Sequence, residues 1–342
     1  MHNPRFNFYR FLNVNFYRSL GVLFMRWAVL WFLSGLIFFS ACSHQPESSW
    51  TRVVSPVSDP LHNGFFVDAA YGWLVSYGTG VVLHTEDGGK TWVVLAKLDS
   101  LFYEDIYFIT RERGWICGEH GLLLQTEDGG THWQERTLAP EHVAFYGIDF
   151  TIRDRGILVG MDIADHAAVL YESLDLGETW QARTDSIPGM ALEPIQFLDG
   201  LHGFIGGNNT VLRTNDGGET WTAADLGQRC MIRGLCFHDS LHGWAVGHNG
   251  VVFRTEDGAQ TWQRLENFTI NRLRSVYFVD NDHGFIVGDQ DQEPGSLWST
   301  TNGGHTWTAA TEPYPDLHRL IPGPGSLWAV GKEGIILKYN KD

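Results

Sequence analysis

An eight-residue pattern that recurs six times at intervals near forty residues predicts an all-β fold, a seven-bladed β-propeller with Asp-box repeats. Two further observations support it. Apolar runs punctuated by glycine show strand rather than helix periodicity, and the two chain ends complement one another as parts of one blade.

The bulk composition suits this. The 342 residues are 43% hydrophobic and 19% charged, enough to bury a large core. With 14 Trp and 39 Gly, the chain combines broad flat side chains with turn-formers, as many short strands require. Net charge is −16, and the first 42 residues hold four basic residues (Arg5, Arg10, Arg18, Arg26) and no acid, so the remainder is more acidic still. Such a surface repels phosphate backbones, which argues against nucleic acid as a partner.

The N-terminus reads as an export signal. From Met25 the chain carries one positive charge (Arg26), an apolar stretch of signal-peptide length and then small residues. Phe39-Ser40-Ala41-Cys42 resembles a bacterial lipobox, with Phe39 where Leu, Val or Ile is usual. The apolar run is short for a spanning helix. The expected organisation is a signal peptide over 1–41 with the true start at Met25, a lipidated Cys42 with a polar tether over 42–49, and the propeller over 50–342. Three cysteines remain, Cys117, Cys230 and Cys236, too few and too poorly spaced for a disulfide framework, and buried apolar roles are expected.

The repeats run Thr85-Glu-Asp87-Gly-Gly-Lys-Thr-Trp92, Thr126 to Trp133, Ser173 to Trp180, Thr214 to Trp221, Thr255 to Trp262 and Thr300 to Trp307. Their third residues are Asp87, Asp128, Asp175, Asp216, Asp257 and Asn302, separated by 41, 47, 41, 41 and 45 residues. That period is one four-stranded blade. The chemistry is that of a turn. Glycine accepts positive φ, the carboxylate takes backbone amides, the hydroxyl two places earlier joins the network, and the Trp packs beneath. None of these groups is reactive.

In the second repeat the expected strands are 105–109, 114–118, 121–125 and 132–138. After the sixth box, Leu317–Ile321, Leu327–Gly331 and Gly334–Tyr339 read as three strands lacking a fourth. Trp50–Val54 reads as an orphan outer strand, and pairing the two ends completes a seventh blade with no free edge.

The unit from Leu241-His-Gly-Trp-Ala-Val-Gly247 through the box ending at Trp262 resembles the photosystem II stability/assembly factor family, over about residues 50–340. The resemblance implies a seven-bladed propeller acting as a non-catalytic assembly factor that binds partner proteins. With the lipobox it implies an envelope protein held to the membrane by lipid alone, a monomer whose partner is another envelope protein or complex. Asp boxes also occur in sialidases and other glycoside hydrolases, so the box transfers fold rather than function.

Inner strands aligned on Phe66, Phe108, Phe150, Phe197, Phe237, Phe278 and Pro322 place His62, Glu104, Tyr146, Glu193, Arg233, Arg274 and His318 four residues upstream. All seven are polar or amphipathic, predicting a charged ring at one mouth of the channel that docks a partner segment. The alternative is a set of solvated, internally salt-bridged strand ends. In the assembly-factor family a basic patch on such a face is associated with partner binding, and Arg233, Arg274 and the adjacent Arg319 would correspond.

An enzyme is the other reading. A sialidase needs three Arg, a Tyr nucleophile paired with Glu, and an Asp acid/base. Tyr146, Glu193, Arg233 and Arg274 supply part of this, but no third Arg or ring Asp aligns, so no catalytic residue is assigned. A sugar-binding platform is disfavoured because the box Trp, together with Trp73, Trp115, Trp244 and Trp328, read as core. His202, His242 and His283 repeat in separate blades and read as turn residues. No metal site or cofactor is assigned.

Overall fold

The computed structural model describes residues 50–98, 102–136, 138–151, 154–183, 187–291 and 294–340. The expected signal peptide, Met25 start, Cys42 and tether lie outside the described residues. Ser48–Asp342 forms one compact unit.

Within it are seven four-stranded antiparallel sheets. Numbered in chain order, blade 1 comprises Leu61–Phe66, Gly72–Ser76, Val81–Thr85 and Val93–Lys97 from the channel outward. The innermost strands of blades 2 to 7 are Tyr103–Phe108, Val143–Phe150, Leu192–Phe197, Ile232–Phe237, Leu273–Phe278 and Leu317–Gly323. Each inner strand contacts the next, and that of blade 7 contacts that of blade 1, so the ring is closed.

The closure is the expected one. Trp50–Val53 pairs antiparallel with Ile336–Tyr339 as the outer strand of blade 7, with Trp50 opposite Tyr339. Val54, expected in this strand, lies beyond its end and is exposed. Blade 2 also differs in its limits: its strands are Tyr103–Phe108, Gly114–Gly118, Leu123–Thr126 and Gln134–Glu135. The last has only two residues, both exposed.

Each box builds the turn its residues imply. Asp87 Oδ1 accepts the Thr91 amide at 2.9 Å and Oδ2 the Thr91 hydroxyl at 2.6 Å, while the Thr85 hydroxyl donates to Asp87 and accepts the Gly89 amide at 2.9 Å. Gly88 and Gly89 have φ of 70° and 74°. Six box Trp rings meet the inner-strand Phe of their own blade at 5.8–6.0 Å, five near-perpendicular and all edge-on. The Trp of the second strand instead stacks on the next blade's Phe, as Trp73 does on Phe108 at 3.6 Å and Trp244 on Phe278 at 3.6 Å. Local turns thus anchor rings that join neighbouring blades.

Inner strands have no ladder partner toward the channel, which leaves backbone groups to satisfy. A side chain does this at every blade junction. Asp105 accepts the Ile148 amide, Asp149 that of Phe197, Gln196 that of Phe237, Cys236 that of Phe278 and Ser275 that of Leu320. Asn63 donates to the Glu104 carbonyl and His318 Nδ1 to that of Leu61. His202, His242 and His283 each close a turn on Asp199, Asp239 and Asp280, and the three cysteines are free and buried.

Candidate functional site

The register decides where function can sit. The end of each inner strand pairs with the start of the second strand, which pairs with the end of the third, where the box begins: Phe66 with Gly72, Gly72 with Thr85. Boxes therefore occupy one face of the ring, and the starts of the inner strands gather at the other.

That gathering brings the predicted ring together. His62, Glu104, Tyr146, Glu193, Arg274 and His318 line one depression with Asn63 and Arg319. Arg233 joins it through Glu193. Beneath lies a channel cavity of about 200 Å³ whose lining includes Asp105, Asp149, Tyr107 and Gln196, and Asn63 and Arg319 border both spaces.

The charges of the ring are largely paired internally. His62 Nε2 and a Glu104 carboxylate oxygen are 3.0 Å apart. Arg233 bonds Glu193 through one guanidinium nitrogen and, through Nε, His248 at 3.1 Å. Arg274 Nε donates to the buried Asp289 at 2.5 Å, and Arg272 reaches the other oxygen of Asp289 at 3.1 Å. The basic residues expected to meet a partner are thus largely neutralised from within. Arg319 has no ion-pair partner within 4 Å among the described residues.

The electrostatics follow. Burial, reinforced by Glu104, Glu119 and Glu193, pushes the Tyr146 phenol up to about 12. Burial raises Glu193 against the opposing pull of Arg233. Burial and Arg274 hold His318 near 4, and burial with Arg233 does the same for His248, so both rings are neutral at physiological pH. In the channel, burial lifts Asp149 to about 7 and raises Asp105.

Sequence alignment on the inner strand misses a second ring. The residue just past each second strand is Tyr77, Glu119, Asn208, His248, Asp289 or Lys332 in six of the blades. Aligning the repeats on that position would have found it. These side chains stand outside the first ring and touch it: Tyr77 lies 5.1 Å from the His62 ring, His248 bonds Arg233, and Asp289 bonds Arg274.

The sialidase reading finds little support in this geometry. Glu193 is engaged by Arg233, and the phenol of Tyr146 is held firmly protonated. Among the described residues no Trp is exposed, so the face offers no indole platform for a sugar. Nor do three His, Cys, Asp or Glu side chains there converge as metal ligands.

Comparison with known proteins agrees with the fold. The family model described as Photosynthesis system II assembly factor YCF48 matches residues 93–146, 140–231, 189–267 and 223–333. The photosystem II assembly lipoprotein Ycf48 of Synechococcus sp. (strain CC9902) is 26% identical over 179 residues, 51% of this chain and 52% of that protein. The chloroplastic photosystem II stability/assembly factor HCF136 of Oryza sativa subsp. japonica is 30% identical over 193 residues, 52% of this chain and 44% of that one. The chain spans about half the length of the curated relatives it matches. A solved structure described as YCF48 bound to D1 peptide superposes with a TM-score of 0.69 at 20% identity, covering 86% of this chain and 98% of that one. Similar shapes also include a streptogramin B lyase and a xyloglucanase from Xanthomonas campestris, so the fold by itself carries no activity.

Proposed function

The chain belongs to the Photosynthesis system II assembly factor YCF48 family, and from that premise we propose that it is a non-catalytic assembly factor docking a segment of a partner protein at the channel mouth. The observation that carries this is the convergence of six inner-strand starts on one polar depression above the channel cavity, with Arg233 of the seventh joined to it through Glu193, on the face opposite the boxes. Support also comes from the relatives, named assembly factors, and from the structural neighbour whose description includes a bound peptide.

The partner is another envelope protein or complex. The chain meets it as a monomer, held at the membrane by lipid on Cys42. The name lipoprotein in the Synechococcus relative supports this localisation, and no helix among the described residues is long and apolar enough to cross a membrane. Site-specific photocrosslinking in the native envelope tests the docking: a photoreactive residue at Tyr146 should capture a discrete partner that one at Glu86, beside a box, does not. Equal capture from both faces would refute it. For the anchor, radiolabelled palmitate should enter the chain and be lost in C42A.

A further inference from the structure

The mouth contains acids and bases in similar number, and two of its arginines are paired in place: Arg233 with Glu193 and Arg274 with Asp289, while Glu104 shares a hydrogen bond with His62. Two charged groups of opposite sign are left without an ion pair. Arg319 lines the floor, bordering both the depression and the channel cavity beneath, and no carboxylate lies within ion-pair distance of it among the described residues. Glu119 stands in the outer ring with no ion-pair partner there; His120 and the Tyr77 phenol are the side chains that favour its charge.

Glu119 does not stand on a bare acidic patch. Tyr77 and Phe102 are exposed aromatic rings, 36% and 37% accessible, with centroids 4.9 Å apart, and their backbones form an isolated bridge. Exposed aromatic rings beside a carboxylate form an environment suited to a lysine or arginine side chain, whose stem packs on the rings and whose head meets the acid. Burial and repulsion from Glu104 outweigh the help of His120 and the Tyr77 phenol and disfavour the charge on Glu119, which an incoming cation would relieve.

We propose that the mouth reads its occupant through these two leftover charges: Arg319 takes a carboxylate of the incoming segment, and Glu119, with Tyr77 and Phe102, takes a lysine or arginine of the same segment. This rests on the docking reading above and specifies the chemistry of the partner. The occupant is a peptide carrying both an acid and a base, and the two contacts fix its direction across the mouth. The internally paired residues hold the shape of the site and contribute little selectivity, because each already has its counter-charge.

The test uses the full chain and a library of fluorescent acetylated dodecapeptides on a Gly-Ser backbone. Each carries one Asp and one Lys at varied spacing, with matched versions bearing Asn or Gln, and each is made with both a free and an amidated C-terminus. Comparing the two termini tells whether the carboxylate comes from a side chain or from the chain end. Binding is read by anisotropy.

Arg319→Gln should weaken the best peptide at least tenfold and abolish its preference for Asp over Asn or for a free terminus. Glu119→Gln should do the same for Lys over Gln. Arg319→Lys and Glu119→Asp should recover most of the loss. Circular dichroism melts confirm that each variant folds. Peptides that bind parent and variants alike, or whose affinity ignores both charges, overturn this inference while leaving docking intact. A library in which nothing binds the parent chain overturns it together with the docking reading.

Discussion

Trp50 in the outermost strand of blade 7 meets Phe285 of blade 6 edge-on, with ring centroids 5.3 Å apart and planes at 89°. In the other blades the box Trp meets the Phe of its own inner strand, but blade 7 has Pro322 at that position. Trp50 therefore packs sideways and also touches Tyr339 at 5.4 Å. The N-terminal strand thus joins two blades as well as completing one. Trp50→Ala should cost about 3–5 kcal/mol by leaving a cavity in a buried aromatic cluster. Chemical denaturation would check it, and a loss below about 1 kcal/mol would show that closure does not depend on this ring.

The sixth box makes its turn with Asn302, whose Oδ1 accepts the Thr306 amide at 3.0 Å while Nδ2 donates to the Thr306 hydroxyl at 2.9 Å. Asp87→Asn should therefore be well tolerated, whereas Asp87→Ala loses several bonds and should cost about 1–2 kcal/mol. Hydrogen bonds from Thr91 hold the Asp87 carboxyl down at about 2. Its contribution is present above the unfolded value near 4 and is lost as pH falls toward 2. Melting temperatures between pH 2 and 5 should fall less steeply in D87N than in the parent, and parallel curves would contradict this.

Two boxes place a non-glycine residue at a glycine position in left-handed conformation: Leu176 at φ 58° and Ala259 at φ 61°. Leu176 is only 36% exposed, so Leu176→Gly relieves backbone strain of about 0.5–1 kcal/mol but gives up at least about 1 kcal/mol of side-chain burial, and should be slightly destabilising. Ala259 is fully buried, and Ala259→Gly loses a packed methyl worth about 0.8 kcal/mol, nearly offsetting the relief. Thermal denaturation of the pair should show one small loss and one near-neutral change, and a loss of several kcal/mol in either would show that the turn does not depend on the strain relief.

How far the sequence could be read follows from the range of each interaction. A box bonds within eight residues, so Thr85, Asp87 and Thr91 announce the turn without any tertiary knowledge. The inner ring was legible because repetition puts His62, Glu104 and their equivalents in register. Pairing was not. Arg233 finds Glu193 40 residues away in the neighbouring blade, and Arg274 finds Asp289 just past the second strand of its own blade. Asp105 and Asp149 read as ordinary strand residues because the amides they satisfy belong to the next blade, 43 and 48 residues along.

Asp149 carries a pH dependence of its own. Its carboxylate accepts the Phe150 and Phe197 amides, each at 2.7 Å, yet enclosure in the channel dominates and lifts it to about 7. Between about pH 4 and 7 the folded protein thus holds a proton that the unfolded chain has released. This contribution is fully present below about pH 4 and is lost as pH rises through 7, with a slope approaching about 1.4 kcal/mol per pH unit within that window. The next blade satisfies the same junction without a charge: Gln196 Oε1 accepts the Phe237 amide at 2.8 Å and Nε2 donates to its carbonyl at 3.0 Å. Asp149→Gln should keep the junction and flatten the slope, making the variant relatively more stable at pH 8 than at pH 5. Denaturant midpoints measured across pH 4–8 decide it, and an unchanged slope in D149Q would assign the dependence to another group.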